Sequence, residues 1–182
     1  MSEQYKFLNP EGLYFTTSTI INWIDLFTRK DYAGIVLNSI RHCQRKKGLT
    51  IHGWNLMPSH LHLIVSSKGS YKLHEIFRDL KKFTAEEIVK CMKEINESRR
   101  EWILKQFIEE GMPLTRITNY KVWQDGNHPV ELATNEMKSE RLHYLHYNPV
   151  EAGIVWKPEE YCYSSAIDYS GGKGYLEVDL IQ

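Results

Sequence analysis

Apolar and polar positions recur along this chain in two rhythms, and the changes of rhythm mark its elements. From Glu11 to Ile21 aromatic and β-branched residues dominate, which predicts a first strand. Asp31 to Lys47 instead spaces Ile35, Val36, Ile40 and Cys43 as a helix does, with Gly48 as its stop after a basic cluster. Leu49 to Leu56 and His60 to Ser66 read as two strands. The link between them, Met57-Pro58-Ser59, is too short for anything but an antiparallel pair. Lys68-Gly69-Ser70 is a turn. A long helical stretch follows, Leu73 to Ile108, in which Leu73, Ile76, Phe77, Leu80, Ile88 and Met92 recur in steps of three and four. Thr84-Ala85-Glu86-Glu87 fits a capping box, so the helix is predicted to break and restart there. Ser98-Arg99-Arg100 dilutes the stripe again, and Gly111-Met112-Pro113 closes the region.

Asn119 to Trp123 predicts a fourth strand, Gln124 to Pro129 a turn, and Thr134 to Tyr147 a last helix that Pro149 stops. The order β-α-β-β-α-β-α is that of an α+β, ferredoxin-like fold. It is a four-stranded antiparallel sheet with helices on one face, here followed by a C-terminal helix. The first and third strands are central in that topology. No repeat or linker is visible, so residues 1–182 read as one domain, with a helical insertion expected over about 84–112.

Composition changes this picture little. The charged and hydrophobic fractions, 25% and 42%, are those of an ordinary globular protein. Lys plus Arg and Asp plus Glu both number 23, and this zero net charge argues against a strongly basic nucleic-acid binder. The distribution is less even. Arg29, Lys30, Arg41, Arg45, Lys46 and Lys47 lie close together, while the tail after Tyr175 is acidic. Cys43, Cys91 and Cys162 are odd in number and widely spaced, which points to reduced thiols in a cytoplasm. The polar start, Met1 to Gln4, has no signal-peptide core, and no apolar run reaches membrane-spanning length.

The candidate chemistry begins with His60-Leu61-His62. On a strand, alternate side chains share a face, which sets the two histidines roughly 6.5–7 Å apart at Cα. That spacing suits two imidazoles gripping one divalent cation, and it also suits two ordinary polar residues. Leu61, Leu63 and Val65 point the other way, into a core. On the last helix Tyr144 and Asn148 share a face with Arg141 near them, while Leu142 and Leu145 point away. A tyrosine covering a core edge, with Asn148 at the helix end, is the plain alternative.

Taken in order, three stretches are more specific than either half alone. They are Met-Pro-Ser-His-Leu-His-Leu-Ile-Val (57–65), Tyr-Leu-His-Tyr-Asn-Pro-Val-Glu-Ala-Gly-Ile-Val (144–155) and Pro-Glu-Glu-Tyr-Cys-Tyr-Ser-Ser-Ala (158–166). The chain resembles the single-tyrosine HUH transposases, and among them the REP-associated tyrosine transposases, from about Gly12 to Tyr169. Trp123-Gln124-Asp125-Gly126 fits the same pattern. The resemblance implies metal-dependent cutting and rejoining of single-stranded DNA near hairpins, through a covalent 5′-phosphotyrosine. It implies that His60 and His62 bind the cation, Mg²⁺ or Mn²⁺, that Tyr144 is the nucleophile, and that Asn148 completes the metal site. It also implies a homodimer in which the tyrosine serves its own or its partner's histidines.

A tyrosine phenol, with a pKa of about 10, needs such activation, and the covalent link conserves bond energy so that rejoining needs no ATP. Arg41, Arg45, Lys46, Lys47 and Arg141 are candidate phosphate contacts, and Trp54, Tyr120 and Trp123 candidate stacking surfaces. The sequence departs from the family at Ser59, where many relatives have asparagine, and in the length of Phe83–Met112. Two other functions stay open. One is a non-catalytic relative that binds nucleic-acid hairpins. The other is a phosphodiesterase that uses water and leaves no adduct.

Overall fold

The computed structural model of the chain describes residues 7–112 and 120–181. Met1 to Gln4, Pro113 and Asn119 lie outside the described residues. Alternating runs give β1 (Tyr14–Thr19), β2 (Leu49–Leu56) and β3 (His60–Ser67), and a short β4 follows at Val130–Glu131. They form one antiparallel sheet in the order β2-β3-β1-β4, so β3 and β1 are central as the ferredoxin-like layout requires. The helices are α1 (Lys30–Lys47), α2 (Leu73–Glu94), α3 (Arg100–Gly111), α4 (Asn135–Glu151) and the short α5 (Ala166–Tyr169).

The two faces of the sheet carry different cores. Tyr14, Ile51, Trp54, Leu61, Leu63 and Val65 point one way and pack with Val36 and Ile40 of α1 and Phe77 of α2. This larger core supplies most of the burial that offsets chain entropy. The opposite face bears Phe15 and Ile64, which pack with Leu132 and with Leu145 of α4. His60 and His62 alternate with the large-core residues, so they project toward the α4 side. Gly48 ends α1 at a φ of 71°, and a Cβ there would stand 2.7 Å from the backbone of Gly69. Only glycine fits both constraints.

Three expectations are corrected. The restart predicted at Thr84 does not occur, because α2 runs unbroken to Glu94. Thr84 is buried. Its hydroxyl donates to the Leu80 carbonyl at 2.7 Å and accepts from the Trp123 indole at 3.0 Å, which is an interior role. The break falls instead over residues 95–99, where buried Glu97 pairs with Arg29 at 2.6 Å. Residues 120–123, the described part of the expected fourth strand, do not form one. Trp123 makes one isolated bridge to Ile20, and β4 forms only after the Gln124–Pro129 turn. Pro149 does not stop α4, which continues to Glu151, because a side chain of β2 supplies the donor that proline lacks.

Candidate active site

The site begins at the end of β3. Thr17 of β1 lies opposite His62 and Thr19 opposite His60 in the antiparallel register. The Thr17 hydroxyl meets His62 Nδ1 at 2.9 Å, and the Ser59 hydroxyl meets His60 Nδ1 at 3.1 Å. When Nδ1 donates to that hydroxyl, Nε2 is left with its lone pair free. His62 Nε2 is buried and has no hydrogen-bond partner among the described residues. The two rings stand 4.7 Å apart at their centroids. Burial pushes His60 down to about 4. His62 falls to about 3, by burial first and then by the nearby His60 and Arg141 charges. Both imidazoles are therefore neutral near pH 7, the form that ligates metal.

Two such nitrogens fit a divalent cation. Among the described residues no group of three His, Cys, Asp or Glu side chains gathers to bind metal. A further protein donor from the described residues would be of another kind, such as an amide or hydroxyl oxygen.

Helix α4 brings the phenol. Thr134 caps its start by accepting from the Met137 N–H at 3.3 Å. Leu142 and buried Leu145 face the sheet, and a Cβ on Gly53 would come within 3.0 Å of Leu142, so glycine in β2 admits the helix. Tyr144 then lies against the histidines, with ring centroids 5.5 Å from His62 and 6.0 Å from Phe15. It keeps 40% exposure, enough for a substrate to reach it. Asn148 stands one turn further on the same face. The Arg141 guanidinium lies 5.3 Å from the Phe15 ring, beside the same group.

Inside α4, Pro149 has no N–H to give the Leu145 carbonyl four residues back. The Asn55 side chain supplies the missing donor, from Nδ2 to that carbonyl at 2.6 Å, and Asn55 is fully buried. Asn55 sits opposite His62 in the β2–β3 register. One side chain thus ties the tyrosine-bearing turn to the strand position beside the metal-binding candidate.

Other motif residues hold this frame. Ser165 N–H donates to the Trp54 carbonyl at 2.9 Å, and Leu56 N–H to the Tyr163 carbonyl at 2.8 Å. The Tyr-Ser-Ser segment therefore covers the free edge of β2. His146 meets Ser165 Oγ at 2.9 Å from the other side. The Gln124 N–H donates to the Thr19 carbonyl at 2.8 Å and Thr17 N–H to the Asn127 carbonyl at 2.9 Å, which fixes the β1 residues next to the histidines.

His60, His62, Tyr144 and Arg141 come together; the basic cluster does not join them. Helix α1 packs against the far face of the sheet. There Arg41 donates to the Tyr175 carbonyl at 3.0 Å and Lys47 pairs with Asp79 at 2.5 Å. Arg45 and Lys46 occupy the last turn of the same helix. Trp123, a candidate stacking surface, is buried, donates to Thr84 and packs 5.8 Å from Phe27. Trp54 is fully buried too. Sequence reasoning missed Thr17, Asn55 and Trp23, the last with its ring 5.4 Å from His60. Nothing local marks the first two. Trp23 lies in a mostly apolar stretch, Ile20 to Phe27, that reads as core.

Comparison with known proteins places this geometry in context. The family model described as "Transposase IS200 like" matches residues 22–128. The chain is similar to the solved structure of a REP-associated tyrosine transposase bound to a REP hairpin. The TM-score is 0.66 at 18% identity, covering 100% of this chain and 94% of that one. A protein of Deinococcus radiodurans R1 described as a transposase gives a TM-score of 0.45 at 10% identity, covering 79% of this chain and 95% of that one. No curated protein matches the sequence.

Proposed function

The chain belongs to the IS200-like transposase family, and from that membership we propose that it cuts and rejoins single-stranded DNA with Tyr144 as nucleophile. The contact of the Tyr144 ring with His62, 5.5 Å between centroids in one chain, carries the reading. A nucleophile and a cation site must lie within one phosphate of each other, and the closeness of these two rings supports that assignment.

His60 and His62 would hold Mg²⁺ or Mn²⁺, with the Asn148 amide as a further oxygen donor. When bound, the ion draws charge from the scissile phosphate. The chain's own part is positional. Thr17 and Ser59 fix the imidazoles, Asn55 fixes the helix, and Arg141 offers a phosphate contact beside the phenol. In the proposed step Tyr144 Oη attacks phosphorus and its proton departs to solvent. The P–Oη bond forms, the bond to the 3′ oxygen breaks, and that oxygen takes up a proton. A 5′-phosphotyrosine and a 3′-OH result, and attack by a 3′-OH reverses the step.

The substrate proposed is single-stranded DNA next to a hairpin, by extension from the hairpin-bound relative. Arg41, Arg45, Lys46 and Lys47 would meet only DNA that wraps to the far face. The reading includes a homodimer; because Tyr144 already meets His62 of its own chain, dimerisation would duplicate the site and not complete it.

The test is covalent capture. Wild-type protein, hairpin-flanked single-stranded DNA and Mn²⁺ should give an adduct that survives denaturation, and Tyr144→Phe should give none while still binding. An adduct formed by the phenylalanine variant sinks the assignment. Cleavage without any adduct, retained in the variant, means that water is the nucleophile.

A further inference from the structure

We propose that Trp23 is the stacking platform for one unpaired base next to the cleaved phosphate, presented by a strained turn that α3 holds in place. The proposal rests on the DNA-processing role assigned to the histidine and tyrosine site, and it deepens that role by naming where a flanking base sits.

Three observations converge on this residue. First, its indole is 60% exposed although its neighbours Ile21 and Ile24 are buried at 4% and 3%. The turn anchors itself on both sides and holds one large ring out in solvent. Second, that ring is 5.4 Å from His60, nearly perpendicular to it at 74°. The histidine pair is thus flanked by two exposed aromatics, Trp23 beside His60 and Tyr144 beside His62. A strand whose phosphate lies at the pair meets the phenol at one end and the indole at the other. Third, Asn22 and Trp23 have φ values of 52° and 55°. Among the described residues only one other non-glycine, His128, has a positive φ. Asparagine adopts this region readily, but a bulky tryptophan there is an outlier.

Strain of this kind persists only where the surroundings over-determine it, and such places cluster at functional sites. Here they do. Ile20 N–H donates to the Ser59 carbonyl and Ile21 N–H to the Val122 carbonyl, both at 2.9 Å. Phe27 N–H donates to the Pro58 carbonyl at 2.9 Å. The Asn22 amide donates to Gln106 of α3 at 2.8 Å. The first and third bonds tie the turn to the loop that leads into His60. The last ties the turn to α3. A base is the occupant that fits: aromatic stacking works for any base, and it needs an open ring held rigidly.

Binding and chemistry are tested separately. In a Tyr144→Phe background, affinity is measured for a hairpin with a single-stranded flank. The flank is either intact or carries one abasic site, moved position by position. Trp23→Ala should weaken binding about 5- to 100-fold, and Trp23→Phe should retain most of it. One abasic position should cost the Trp23 protein a similar factor and the alanine variant nothing further. A tryptophan that merely props His60 would lose affinity equally at every flank. If the alanine variant binds as tightly, or if abasic losses add to its own, the platform is refuted. The abasic scan on the Trp23 protein, run with fluorescence quenching of the indoles, decides the matter even if the alanine variant fails to fold. No position-dependent loss there also refutes it. Covalent capture by wild type is scored independently, so failed chemistry with intact stacking overturns the function and not the platform.

Discussion

Thr17 reaches from β1 to the Nδ1 of His62 at 2.9 Å, and this one hydroxyl decides which nitrogen faces the site. Partners of this kind around metal-binding histidines typically matter 10- to 100-fold in affinity. Thr17→Val keeps the shape and removes the hydroxyl, so Mn²⁺ affinity should fall by about that factor. Isothermal titration against wild type and His62→Ala checks it, and unchanged affinity would mean that Thr17 only packs. The histidine pair itself was legible as a spacing. Its hydroxyl partner was not, because Thr17 and His62 meet only through the register of two strands far apart in the chain.

Helix α4 keeps its course through Pro149 because Asn55 gives the Leu145 carbonyl its missing hydrogen bond. Asn55→Ala leaves that buried carbonyl unpaired, which costs about 1–3 kcal/mol. Chemical denaturation should show that loss. Adding Pro149→Ala restores a backbone N–H in the right place and should recover part of it. If the double variant is no more stable than Asn55→Ala alone, the compensation is absent. Proline does not end the helix at Pro149, since the donor that rescues it comes from β2. The capping box at Thr84 failed for the same kind of reason: burial against Trp123 gives the hydroxyl an interior partner. The predicted helix over 31–47 and the strands over 49–56 and 60–66 match to within a residue, because each carries its own periodicity.

Across the molecule, stability is linked to pH through buried histidines. Burial, aided by the nearby His143, pushes His146 down to about 4. An unfolded histidine takes up its proton near 6.5. Above that pH the folded chain keeps the full contribution of this group, and between 6.5 and about 4 it loses it as the unfolded state binds the extra proton. The slope is up to about 1.4 kcal/mol per pH unit for this one site. Urea midpoints of the metal-free protein should fall from pH 7 to 5, and less steeply in His146→Gln. Equal slopes would show that His146 titrates normally. No helix of the described residues is long and apolar enough to cross a membrane.

Local rhythm determined three of the four strands and their antiparallel hairpin, since each depends on residues near one another in the chain, and the order of motifs along it pointed to the family. What joins the two halves of the site depended on tertiary packing. Tyr144 meets His62 because Gly53 admits α4, Asn55 anchors it and the Tyr-Ser-Ser segment closes the β2 edge behind it. The basic cluster looked like the DNA surface in sequence, yet the sheet stands between it and the histidines. A side chain's chemistry is written locally, but which face it shares is set by the sheet's pleat and by the layers packed on it.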